Sequence, residues 1–77
     1  MRYLFDKKRH LICKPYSIEN LHIMADVLGI NQSWFHGGKY PHYDIPKQRV
    51  GTLEKYAEEV TPREILTIIK SCFDNKN

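Results

Sequence analysis

The sequence predicts an α+β domain in which about three helices cover a small two- or three-stranded sheet, with a long loop rich in aromatic residues and histidines. Three observations carry that expectation. Two short runs, Arg2–Phe5 and His10–Cys13, have the length and apolar content of strands. Apolar residues recur at helical spacing over residues 18–28 and again after Thr61. Between these segments lies Asn31–Asp44, which has no periodic signal of either kind.

Arg2-Tyr3-Leu4-Phe5 reads as the first strand and His10-Leu11-Ile12-Cys13 as the second. The basic cluster Lys7-Lys8-Arg9 forms the turn between them, and Pro15 and Tyr16 end the second strand. Ser17 is a helix N-cap, and Glu19 is favourable in the first turn. Ile18, Leu21, Met24, Ala25 and Leu28 then mark a helix over 18–28, stopped by Gly29. Pro46 suits a first helical turn, with Val50, Leu53 and Ala57 following at helical spacing and Gly51 weakening the helix. Ala57–Val60 reads as a short third strand. Thr61-Pro62-Arg63-Glu64 joins a capping Thr and Glu with a proline at the first helical position. Ile65, Ile68, Ile69, Cys72 and Phe73 give the last helix an apolar stripe, fraying from about residue 74.

Seventy-seven residues, 42% hydrophobic and 27% charged, make a single globular domain over 1–77 with a thin core. Such a core leaves homo-oligomerisation open. Cys13 and Cys72 lie far apart and outside any metal-type spacing, so both are expected as reduced core thiols. No apolar run approaches the roughly 20 residues of a membrane span. The basic start, Met1 to His10, lacks the apolar core of a signal peptide, so a cytoplasmic location and no membrane partner are expected. The net charge of +3 is concentrated early, in Arg2, Lys7, Lys8, Arg9 and Lys14. Such a cluster can meet a phosphate backbone, although more often it is a solvated turn.

Trp34–Asp44, within the long loop that starts at Asn31, is where chemistry is expected. A loop that long in so small a domain is usually functional or disordered, and Trp34, Phe35, Tyr40 and Tyr43 argue against disorder. Gly37-Gly38 allows a sharp turn or close approach to a phosphate. His42 suits general acid/base work near neutral pH with Asp44 beside it, and Arg49 suits a bidentate phosphate contact. The bland alternative is that the aromatics merely fold the loop onto the core. His36 taken alone favours that alternative, and His22 reads as a boundary residue of the first helix. His10, His36, His42 and Asp44 match no recognised zinc spacing, so no metal and no cofactor are expected. No dinucleotide fingerprint, P-loop, nucleophile elbow or HExxH is present.

The run His10-Leu11-Ile12, the helix with Leu21, Ala25 and Leu28-Gly29, then Ser33-Trp34-Phe35, Pro41-His42-Tyr43-Asp44, Arg49 and Glu59-Val60-Thr61 resembles a family of short bacterial and phage proteins. That family is known as domain of unknown function 4031. The likeness spans roughly residues 2–66. It implies His10, Trp34, His42, Tyr43, Asp44 and Arg49 as shared positions, and no reaction. The chain departs from it after the first strand, where an acidic pair is replaced by Asp6 and lysines, and after the second, where Lys14 stands in place of an acid.

The leading expectation is a ligand-binding or regulatory module for a phosphate-bearing ligand, a nucleotide or nucleic acid. Tyr43 or Trp34 would stack on a base, while His10, His42 and Arg49, with Asp44, complete the binding set. The second is a small phosphoesterase or nuclease-like enzyme with His10, His42 and Asp44 as catalytic candidates. The third is a phage factor that binds a host protein through the aromatic loop. His10 and His42 are expected to lie close in space, because the second strand and the loop must both border the sheet.

Overall fold

In the computed structural model, which describes residues 1–74 and the side chains of residues 1–72, the chain opens as an antiparallel hairpin. Strand β1 (Arg2–Phe5) pairs with β2 (His10–Lys14), Leu4 opposite Ile12 and Phe5 opposite Leu11. The turn between them closes through Arg9, whose backbone N–H donates to the Asp6 carbonyl at 3.0 Å and whose φ of 68° is left-handed. A type I turn followed by one left-handed residue matches the twist of the flanking strands. Asp6 turns its carboxylate inward, where Oδ1 accepts from the backbone N–H groups of Lys8 and His10 at 2.9 and 3.0 Å. Lys7, Lys8 and Arg9 are exposed around it.

Helix α1 (Ile18–Leu28) starts where Ser17 Oγ accepts from the Asn20 N–H at 2.9 Å. It stops at Gly29, whose φ of 68° is cheap only for glycine. Leu21, Met24 and Ala25 are its buried residues, while Ile18 stays exposed.

The segment expected as one long loop is more ordered than its sequence suggested. Asn31 caps a short 3-10 turn (Gln32–Trp34). A hairpin of β3 (Phe35–His36) and β4 (His42–Asp44) follows. Strand β4 pairs antiparallel with β2, and β5 (Glu58–Glu59) pairs parallel with β1. Among the described residues the sheet therefore has five strands in the order β3-β4-β2-β1-β5 and is mixed, against the two or three expected. The added strands are two or three residues long, too short for a periodic signal.

The helix expected from Pro46 through Ala57 is reduced to a 3-10 turn (Lys47–Arg49) running into α2 (Val50–Leu53). Val50, Gly51 and Thr52 are all poor helix formers, and only Leu53 of α2 is buried. Helix α3 (Pro62–Asp74) ends the described chain, with Ile65 and Ile69 buried. The side chain of Phe73, and the fraying expected toward the C-terminus beyond Asp74, lie outside the described residues. Among the described residues no helix is long and apolar enough to cross a membrane.

The register assigns each face of the sheet. Leu11, Tyr43 and Phe35 are cross-strand neighbours on the α1 side, where the Tyr43 hydroxyl meets His22 Nδ1 at 2.8 Å. His10, Asp44, His42 and His36 occupy the opposite side, over which α3 packs. Cys13 and Cys72 are free thiols, and burial pushes the Cys13 thiol up and away from reactivity.

At the start of α3 the Glu64 N–H donates to Thr61 Oγ1 at 3.1 Å, which is the expected cap. Thr61→Ala is expected to cost about 1 kcal/mol. In urea this would appear as a lower midpoint with an unchanged slope. An unchanged midpoint would place the start of that helix elsewhere.

Candidate functional site

Strand register, rather than proximity in sequence, builds the cluster on the α3 side. His10 stands opposite Asp44 in the β2–β4 ladder, and His36 stands opposite His42 in the β3–β4 ladder. Residues 42 and 44 lie two apart on one strand, so both point to the same face. The His10 and His42 rings meet edge-on with centroids 4.8 Å apart, and the His36 ring stacks on His42 at 5.4 Å. One donor atom from each of His10, His42 and Asp44 lies within 4.8 Å of the other two.

Each imidazole is oriented by a group behind it. Nδ1 of His10 lies 2.8 Å from Oδ2 of Asp6, whose side chain is wholly buried. Nδ1 of His42 lies 2.6 Å from the Tyr40 carbonyl. Both partners only accept, so in both rings Nδ1 carries the proton and Nε2 is left for the cluster. Nε2 of His42 is 3.1 Å from Asp44 Oδ1, while the other oxygen of Asp44 is 2.7 Å from His36 Nε2. The Tyr16 hydroxyl anchors the approach to β4 by donating to the Pro41 carbonyl at 2.6 Å. Burial pushes that hydroxyl up to about 12, so it keeps its proton, and hence this bond, at neutral pH.

A cavity of about 280 Å³ opens beside the two histidines. Lys8 and Tyr40 line its sheet side, and Pro62 and Leu66 line its α3 side. Lys39 stands 5.6 Å from the centre of the Tyr40 ring. Lys8, two imidazoles and Tyr40 thus border an otherwise apolar hollow, with Lys39 beside Tyr40 and Asp44 beside His42 just outside its lining. Such a place can hold an anionic group at its rim and polarise an oxygen at its centre.

The residues singled out from sequence fall in four places. His10, His42 and Asp44 come together. Trp34 lies on the far side of Asp44, in a cavity of about 300 Å³ shared with Ser33, His36 and Pro46. Arg49 is not brought to the cluster. Its guanidinium donates to the Leu28 carbonyl at 3.3 Å, at the end of α1, and lines a third cavity with Tyr3 and Ile30. Tyr43 is fully buried against Phe35 and His22, leaving no ring face for a ligand. Burial also pushes its hydroxyl up, with Asp26 adding to the effect.

Sequence reasoning gave no site role to Asp6, and weighed Lys8 only within a basic turn, Tyr40 only as a loop aromatic and His36 only within an unrecognised metal spacing. The alternation His-Tyr-Asp-Ile over 42–45 carried part of the missing signal, because its polar members share one face. The orienting role of Asp6 had no signal, since it depends on a left-handed turn at Arg9.

The model of the family described as Protein of unknown function (DUF4031) matches residues 6–72. The chain belongs to this family. The matched stretch begins at Asp6 and takes in every member of the cluster, so the site is a feature of the DUF4031 portion of the chain. No curated protein and no solved structure matches the chain. The DUF4031 description names no activity.

Proposed function

We propose that this protein is a small phosphoesterase of nuclease-like type, working at His10, His42 and Asp44. The observation that carries this reading is the convergence of the three groups beside the basic β1–β2 turn. Their donor atoms surround a point that a water or a phosphoryl oxygen can occupy. Asp6 and the Tyr40 carbonyl fix both imidazoles beforehand, so little reorganisation is left for the reaction. Lys8 at the cavity wall and Lys39 beside Tyr40 supply the positive rim that draws in a phosphate ester. A binding module without turnover has less support. It called on Tyr43 or Trp34 to stack and on His10, His42 and Arg49 to hold phosphate; of these Tyr43 is buried and Arg49 is turned to a separate cavity.

The test offers 4-nitrophenyl phosphate, bis(4-nitrophenyl) phosphate and a short single-stranded oligonucleotide to the full chain. Turnover of at least one ester is expected. His42→Ala and Asp44→Asn should each slow it by about 100-fold or more. Trp34 borders Asp44, so its fluorescence reports binding independently. Saturable quenching with no turnover of any ester would overturn the enzyme and return the binding module. Turnover that survives both substitutions would move the reaction to another site.

A further inference from the structure

We infer that His10, His42 and Asp44 form a binding site for one divalent transition-metal ion of the zinc class, with a coordination position open toward the Lys8–Tyr40 cavity. The inference deepens the reading above, and it rests on that reading's choice of His10, His42 and Asp44 as the working groups. Nδ1 of His42 donates to the Tyr40 carbonyl, so in the neutral ring Nε2 presents a lone pair to the carboxylate oxygen 3.1 Å away. Two lone pairs facing each other at that distance repel unless a cation lies between them or a second proton sits on the ring. His10 repeats the pattern, with Nδ1 committed to Asp6 and Nε2 left over.

A carboxylate or carbonyl behind each imidazole is the arrangement that holds metal-ligating histidines in the right tautomer and makes them better donors. Here both histidines have one. His36 plays the matching part for the carboxylate, fixing Oδ2 of Asp44 so that Oδ1 faces His42. Ligand atoms around a tetrahedral zinc stand about 3.3 Å apart. The three donors already lie within 4.8 Å, so small side-chain rotations close the site. Two histidines and one carboxylate leave an open position for water, as in hydrolytic metal centres. The ion would also reconcile Asp44 with a negatively charged substrate, because it places a positive charge between the carboxylate and the phosphoryl group.

The experiment titrates untagged, metal-stripped full chain with zinc at pH 7.5, by calorimetry and by melting temperature. One zinc per chain with a Kd of micromolar or tighter is expected, together with a melting temperature that rises with zinc concentration. His42→Ala and Asp44→Asn should each weaken binding by 100-fold or more. Asp6→Asn should weaken it by about 10–100-fold, acting only through His10. His22→Ala, on the other face of the sheet, should bind as the parent does. Asp44 is partly exposed, so its variant is expected to stay folded and keeps the test decisive if a histidine variant does not. Binding weaker than 100 micromolar, or binding untouched by Asp44→Asn, would overturn the metal site. Turnover that persists in chelator with no zinc bound would do the same while leaving the phosphoesterase standing. Zinc bound tightly with no ester turned over would uphold the metal site and overturn the reaction.

Discussion

Tyr43→Ala is expected to cost about 3–5 kcal/mol, because it removes a fully buried aromatic ring from the centre of the fold. A folded domain typically has about 5–15 kcal/mol in all, so the variant should lose a large share of its stability. The ring packs against Phe35 of β3 and His22 of α1, at centroid distances of 5.3 and 6.0 Å. Losing it leaves the β3–β4 hairpin held to His22 of α1 by the Phe35 ring, 4.7 Å between centroids, without the Tyr43 contact beside it. Tyr43→Phe keeps the ring and loses only the hydroxyl contact to His22, at a cost of about 1 kcal/mol. Urea unfolding followed by far-UV circular dichroism measures both. Equal losses would mean that the hydroxyl carries the effect, and a mild alanine variant would mean that the hairpin is not anchored through this ring.

Asp6→Ala is expected to cost about 2–4 kcal/mol, although the residue sits in a turn. Three donors would lose their acceptor: the backbone N–H groups of Lys8 and His10, and Nδ1 of His10. Asp6→Asn separates the structural part from the functional part. Its amide oxygen can still accept from the two backbone groups, so most of the stability should return. Its amide nitrogen, placed against Nδ1 of His10, favours the tautomer with the proton on Nε2. Chemical denaturation reads the first effect, and nitrogen NMR of the imidazole reads the second. If the asparagine variant is as unstable as the alanine one, the charge itself holds the turn. If the His10 tautomer is unchanged, Asp6 does not set it.

What could be read from sequence depended on how far each signal extends along the chain. Helix α1 announced itself through Ser17, five apolar positions and Gly29, and α3 through Thr61, Pro62 and Glu64; these are local patterns several turns long. Strands β3 and β4 offered two and three residues, and β4 depends on partners on β2 that no local window contains, as β3 in turn depends on β4. The candidate site divided in the same way. His42 and Asp44 are two residues apart and drew attention together. His10 joins them only through the β2–β4 register, and Asp6 only through the turn that precedes it. Arg49 and Tyr43 looked suitable by residue type, but type does not say which face of the sheet a side chain occupies. A one-residue change in the register of β4 would have reversed the places of Tyr43 and Asp44.

The two outermost strands, β3 and β5, are each only two residues long. A sheet margin normally presents unpaired amide and carbonyl groups that a second chain can zip onto. Here one margin gives way at once to Gly37-Gly38, and the other bears Glu58 and Glu59, with Glu58 tied to Arg2 at 2.9 Å. Neither margin is long enough to template a ladder, and one of them repels its own kind. Self-association by sheet extension, the common route from a small β-containing domain to fibrils, is thereby blocked at both ends. The protein should therefore tolerate high concentration as long as the hairpin stays docked.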